Sequence, residues 1–517
     1  MRCMVKINKS KMKIVPGKHD NFILFLKKSI YLMISYLITN QRNKSYMKKL
    51  SFLLAVLSLA FISSHAQNPV LTIEGGQVKG VETATKGIIV YKGIPFAAPP
   101  VGNLRWKEPQ PVIPWQGVKL ADKYGAASMQ VTWDPQSFYG KEWRASGSVP
   151  FNEDCLYLNI WTPAAGKKNE KLPVAMWIHG GGFREGFAFE PEMDGGEDWS
   201  SRGVILVSVT YRLGVFGFFS HPLLSAESPH HVSGNYGLMD QAAALKWIHN
   251  NIAQFGGDPN NITIFGQSAG AGSVQSLCAS PLSKNMVSKA ISMSGGGLSN
   301  ARPGIRLDSA QLANKKMMDY FGKTTLESMR SLSFDQLLQM SKQYADTTKT
   351  RIGWSPVVDN YFLKGTFTDV ANAKEIADIP YMFGCTINDL ADMIKPISDF
   401  AALRAKQSSK PVYAYLFQRQ LPGDSSGAFH SSDLWYMFHS LRHSWRPFTK
   451  GDEDLSRKMT DYYTNFAKFG DPNGKGGGIW KPYTIAKPEF ILLDADTDKA
   501  VLTMSPNPQY KGSLMRR

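Results

Sequence analysis

A chain of 517 residues with 43% hydrophobic content can bury a large core, and its 45 Gly and 29 Pro imply many turns rather than low complexity. The formal charge of +17 would suit a nucleic-acid partner if it were spread along the chain. Residues 1–66 hold twelve Lys/Arg against the single acid Asp20, which places +11 of the +17 there and leaves +6 for residues 67–517, so a nucleic-acid-binding class is excluded as the first reading.

In chain order, Met47-Lys48-Lys49 precedes an apolar run at 50–62, and Ser64-His65-Ala66 precedes Gln67. This charged, apolar, small-residue order is that of a secretory signal at 47–66, so the mature chain is expected to begin near Gln67. The apolar run is shorter than the roughly 20 residues of a membrane span, and no Cys follows it closely to accept a lipid. A soluble periplasmic or secreted protein is expected, with no stable membrane insertion once the signal is removed. Residues 1–46 carry a second apolar stretch, 22–39, broken by Lys27-Lys28; an export segment ahead of a good one is redundant, so 1–46 is expected to be an upstream leader with Met47 the true start.

Residues 70–106 read as short strands with Gly and Pro punctuation, an antiparallel entry to a sheet. Apolar runs at 172–179, 204–211 and 262–266 read as buried strands. Between the last two, 237–255 carries Leu238, Ala242, Leu245, Ile248 and Ile252 at helical spacing, and strand, helix, strand implies a parallel sheet with a crossover helix. Further strands are expected at 289–294, 379–385 and 411–417, and a late helix at 452–469. Without repeats, heptads or a linker, residues 67–517 read as one doubly wound α/β domain. Cys155, Cys278 and Cys385 are too widely spaced for a metal cluster or a disulfide framework, and no metal or organic cofactor is expected.

The chemistry is concentrated after the 262–266 strand, where Gly266-Gln267-Ser268-Ala269-Gly270 has the strand-turn-helix context of a nucleophile elbow. The turn is so sharp that flanking side chains would collide, hence Gly at both ends. Upstream, His179-Gly180-Gly181-Gly182-Phe183 follows the 172–178 strand. Its bare backbone lets the N–H groups of Gly181 and Gly182, with that of Ala269, form an anion hole for a tetrahedral intermediate. A phosphate cradle is the rival reading, but no Gly-Lys-Ser/Thr follows. A serine hydroxyl needs a base, and the base needs a carboxylate. Their chain order on such an elbow is Ser, acid, His, which leaves His430, His439 and His443; spacing alone does not choose among them.

At this point the sequence resembles the type-B carboxylesterases, the family of cholinesterases and bacterial para-nitrobenzyl esterases. Phe255-Gly256-Gly257-Asp258-Pro259 through Gly270 is similar to the family's serine signature, and Glu153-Asp154-Cys155-Leu156-Tyr157-Leu158-Asn159 to its second. Gly93 to Pro100, Thr210 to Gly214 and Asn235 to Gln241 are similar to further blocks, so the resemblance covers nearly all of the chain after Gln67. It implies an α/β-hydrolase fold, a large mostly parallel sheet flanked by helices, acting on small-molecule carboxylic esters. It also implies His430, in Gly427-Ala428-Phe429-His430 followed by Asp433, as the base, and Asp389 as the acid, where the family usually has Glu. Asp392 is the fallback acid, while His439 and His443 read as ordinary residues. Arg105 with Glu153, and Arg212 with Asp240, resemble bracing salt bridges, and Asp359 is read as structural.

Three departures stand out. Ser128 occupies a position where many relatives have the Cys that pairs with the position of Cys155, so that disulfide is expected to be absent. Gln267 replaces a more usual Glu, which removes an attraction for quaternary-ammonium substrates. Only 41 residues separate Asp389 from His430, so a reduced helical wall over the site is expected. Trp133, Trp143, Phe183, Phe187 and Phe189 are candidate lining aromatics. The competing readings are an amidase or lipase using the same triad, and a catalytically weak or inactive hydrolase-fold binding or adhesion protein.

Overall fold

The apolar runs of the sequence become the centre of an eleven-stranded sheet in the computed structural model, which describes residues 68–131, 134–143, 150–188, 195–298 and 304–514. The expected leader and signal at 1–66 lie outside the described residues. In chain order the strands are β1 (Val81–Glu82), β2 (Ile89–Pro95), β3 (Tyr157–Thr162), β4 (Leu172–Ile178), β5 (Ile205–Val209), β6 (Gly257–Gln267), β7 (Lys289–Met293), β8 (Tyr381–Thr386), β9 (Val412–Phe417), β10 (Phe490–Ala495) and β11 (Ala500–Ser505). Their spatial order is β11-β10-β9-β8-β7-β6-β4-β5-β3-β2-β1. Every neighbouring pair from β5 to β10 is parallel. The pairs beyond them at both edges are antiparallel. This is the α/β-hydrolase fold.

Burial explains why these strands were legible. Every residue of β5, β7, β8 and β9 is buried, so both faces demand apolar side chains and the runs are continuous rather than alternating. Parallel neighbours need crossovers, supplied by α2 (Tyr236–Asn251), α3 (Ala269–Ala279), α4 (Ile394–Gln407) and α5 (Lys450–Phe469), which follow the short α1 (Phe138–Glu142). Thr449 and Asp452 form a capping box at the start of α5, and Gly470 ends it in the left-handed conformation.

Several boundaries differ from expectation for physical reasons. β6 starts at Gly257 rather than 262, because an irregularity between Gly257 and Ile262 lets it keep pairing with β4. The expected entry at 70–106 splits: Val70–Ile73 pairs with Gly76–Lys79 in a separate small sheet, and only β1 and β2 join the large one. The β10–β11 hairpin was not anticipated; its turn is closed by Asp496, whose Oδ1 accepts from the N–H groups of Asp498 and Lys499 at 2.8 Å each. Between Asp389 and His430 the chain makes only one helix, α4, of 14 residues, before β9. Among the described residues no helix is long and apolar enough to cross a membrane, and no group of His, Cys, Asp and Glu could hold a metal ion.

Candidate active site

β6 ends at Gln267 and α3 begins at Ala269, so Ser268 alone makes the turn, with φ at +56°. That positive φ, with ψ at −121°, is strained for a serine and is held by its surroundings. The Ser268 N–H donates to Met293 O on β7 at 2.8 Å, and Ser268 O accepts from Gly272 N at 3.1 Å. The turn brings α3 so near β4 that a Cβ on Gly270 would lie 2.1 Å from Ile178 O, so only glycine fits.

The glycine loop leaves the C-terminal end of β4 beside this turn. Gly181 has φ of +92°, and its carbonyl accepts from Arg184 N at 3.0 Å and Glu185 N at 3.1 Å. Among the described residues, the N–H groups of Gly181, Gly182 and Ala269 donate to no protein acceptor. Ala269 is the first residue of α3, whose N-terminal amides have no partner within the helix and carry its positive dipole end. His179 braces the loop as a neutral ring: burial pushes its pKa down to about 4 against the raising effect of its Gly180 contact. The ring stacks on Tyr211 at 4.5 Å, and the Tyr211 hydroxyl donates to His179 O at 2.8 Å.

Opposite, beyond the C-terminal end of β8, Asp389 Oδ1 lies 2.6 Å from His430 Nδ1. The other carboxylate oxygen accepts from the N–H and hydroxyl of Thr386, both at 3.2 Å, and Leu390 N donates to Oδ1 at 2.7 Å. Burial alone would raise the Asp389 pKa, but the bond and charge of His430, with the hydrogen bond from Leu390 N–H, outweigh it and hold the carboxyl below its ordinary value. Asn388 ties the two loops: its N–H donates to Ala428 O at 3.2 Å, and its side-chain oxygen accepts from Ala428 N at 3.1 Å. Asp392 is exposed and accepts from Ile394 N at 2.9 Å, and His439 pairs with Asp198 at 2.9 Å, so neither belongs to this cluster.

Two neighbours of His430 carry information that its motif did not. Gln267 Nε2 lies 3.2 Å from His430 Nε2. With the amide donating, Nε2 holds the lone pair and Nδ1 carries the proton toward Asp389. Asp433, fully buried, accepts from the Tyr415 hydroxyl at 2.9 Å; burial and the nearby Asp389 charge raise its pKa to about 7.

Ser268, His430, Gly181 and Gly182 line one cleft of about 290 Å³. Trp143, of the aromatics expected there, does line it; Tyr139, Leu390 and Leu434 were missed. Phe183 packs on Phe218 at 5.1 Å and Phe187 is buried, while Trp133 and Phe189 lie outside the described residues. The bracing pairs form as expected, with Arg212 Nη2 2.7 Å from Asp240 and Arg105 Nε 2.7 Å from Glu153. Asp359 accepts from three successive N–H groups, Tyr361 to Leu363, and from Asn235 Nδ2 at 2.8 Å, a structural use. Cys155 is free and buried, as the serine at 128 implied.

Comparison with known proteins decides the family, since the model of the "Carboxylesterase family" matches residues 67–400 and 391–509. The chain belongs to the carboxylesterase family. Among similar carboxylesterases is the cocaine esterase of Homo sapiens, 31% identical over 86% of this chain and 92% of that one. The medium-chain fatty acyl-CoA hydrolase precursor of Anas platyrhynchos is 30% identical over 86% and 92%. A solved thermophilic PNB esterase superposes with a TM-score of 0.72 at 28% identity, covering 85% of this chain and 98% of the other. The chain is thus a carboxylic-ester hydrolase of the type-B carboxylesterase family, as its motifs implied.

Proposed function

We propose that this carboxylesterase is an exported enzyme that hydrolyses small-molecule esters by a two-step Ser268–His430–Asp389 mechanism within one domain, residues 67–517. The hydroxyl of Ser268 attacks the ester carbonyl as His430 Nε2 takes its proton, and Asp389 orients the ring and stabilises the imidazolium. The N–H groups of Gly181, Gly182 and Ala269 hold the oxyanion, a contribution of about a hundredfold or more in rate for one such donor. The alcohol leaves with the proton from His430, and water then repeats the sequence on the acyl-enzyme.

The observation that carries this reading is the 2.6 Å contact of His430 with Asp389 at the edge of the cleft that Ser268 also lines. Three amides without protein acceptors beside it supply the donors such an intermediate needs. A neutral Gln267 in the lining removes one source of attraction for cationic esters. Export rests on the residue order at 47–66.

The test is hydrolysis of a short-chain para-nitrophenyl ester by the chain starting at Gln67, with Ser268→Ala beside it. Loss of about 10⁴-fold or more in kcat is expected in the variant. Equal activity in variant and wild type would refute the assignment of the nucleophile.

A further inference from the structure

Part of the cleft is lined by Tyr139 of α1, a helix of only five residues, and by Trp143 that follows it. So short a helix has no independent stability. Its last residue, Glu142, is buried, and so is the residue it meets, Arg446, whose side chain is 0% exposed. Arg446 lies 304 positions away in the chain. Arg446 Nη2 lies 2.8 Å from Glu142 Oε2, and Nε lies 3.0 Å from Oε1. The indole N–H of Trp435 donates to the same carboxylate at 2.9 Å.

The other end of the guanidinium grips the chain just before His430. Nη1 donates to Pro422 O and Asp424 Oδ1, both at 3.0 Å, and Nη2 reaches Ser426 Oγ at 3.1 Å. All five guanidinium N–H donors therefore have acceptors. Its face lies 5.3 Å from the ring of Phe429, which Phe138 of α1 meets edge-on at 4.9 Å on its own account. The Tyr139 hydroxyl closes the circuit by donating to His430 O at 3.1 Å. No disulfide among the described residues shares this task, since Cys155, Cys278 and Cys385 are free.

We propose that Arg446 is a positioning residue for the esterase reaction: by gripping Glu142 and the 422–426 segment together, it fixes the Tyr139–Trp143 wall and the His430 loop relative to each other. It thereby sets both the width of the pocket and the aim of the imidazole. This rests on His430 being the base. The ion pair is a geometric device: each charge is removed from water, so its net contribution to stability is small, while its forked geometry allows one arrangement only.

The test replaces the pair together, as Glu142→Leu/Arg446→Met, because a buried ion pair exchanged for apolar residues commonly leaves stability near its original value. Kinetics are read on para-nitrophenyl acetate and para-nitrophenyl benzoate, with the thermal midpoint measured beside them. The expected result is a wild-type-like midpoint, a fall in kcat of about 10- to 100-fold on both esters, and a weaker preference for the smaller one. Arg446→Lys, which keeps the charge but not the fork, restores only part of kcat. A folded double variant with wild-type kcat and selectivity overturns the inference. Should the double variant not fold, Asp424→Ala cuts one arm at the half-exposed rim; a lower kcat with KM unchanged then supports the inference, and wild-type kinetics overturn it. His430→Ala separates the two readings: if it keeps full activity the base assignment falls, whereas an inactive His430→Ala beside an unaltered double variant refutes only the role of Arg446.

Discussion

Ser268 and His430 line the same cleft but are held there by different means. Ser268 stands on a turn fixed by main-chain contacts to two neighbouring strands, where even a methyl group at Gly270 would meet Ile178 O. His430 stands on a loop held by one main-chain bond, Asn388 N to Ala428 O, and otherwise by side chains: Asp389, Asn388, Tyr139 and the Arg446 cluster. A position set by the backbone tolerates almost no change, whereas one set by side chains can be tuned residue by residue. The Ser268 side is therefore the rigid half of the cleft and the His430 side the half open to tuning.

Among changes that leave the Ser268 hydroxyl in place, Gly270→Ala is expected to have the largest effect on that side of the cleft. Overpacking of this kind costs about 1–3 kcal/mol of stability. A displaced turn costs about a hundredfold in kcat. Thermal unfolding and ester hydrolysis check both, and a near-wild-type enzyme would show that the turn is more compliant than its contacts imply.

On the histidine side, two buried aspartates respond oppositely to pH. Asp389, held below its ordinary value, contributes stability that is present above that value and lost as pH falls through its folded pKa. Asp433, raised to about 7, favours the folded state most when protonated. Its contribution is full below the unfolded value of about 4 and is lost as pH rises toward 7. Asp433→Asn is expected to remove that loss, so its thermal midpoint gains on wild type as pH rises from 4 to 8. A gain independent of pH would refute the assignment.

The smallest effect is expected from Gln267→Glu, at the contact between the two sides. A carboxylate 3 to 4 Å from the ring stabilises the imidazolium, which cannot accept the serine proton. The acid limb of the kcat/KM profile is expected to move up by about one pH unit. An unmoved limb would mean that this side chain turns away from His430 in solution.

The same contrast governs what the sequence could disclose. The elbow, the glycine loop and the buried parallel strands are local patterns, visible as runs and spacings within a dozen residues. The choice of His430 over His439 and His443 needed the family blocks, because its partner Asp389 is 41 residues away and the bond is made only by the fold. Glu142 and Arg446 gave no signal at all, since each is an unremarkable charge until 304 positions of chain bring them together. Tyr139 was hidden likewise in a five-residue helix too short for any periodicity. The β10–β11 hairpin could have been found, from the apolar alternation of Ala500, Leu502 and Met504 behind an Asp-rich turn.

The three thiols among the described residues have a consequence for handling. Cys155, Cys278 and Cys385 are all buried, and burial pushes the first two up to about 12 and the third well above its ordinary value. The thiolate is the species that oxidises or exchanges, and it is scarce at all three positions in the native fold. Once the fold has closed over them, these three positions are shielded from air, glutathione and thiol reductants alike.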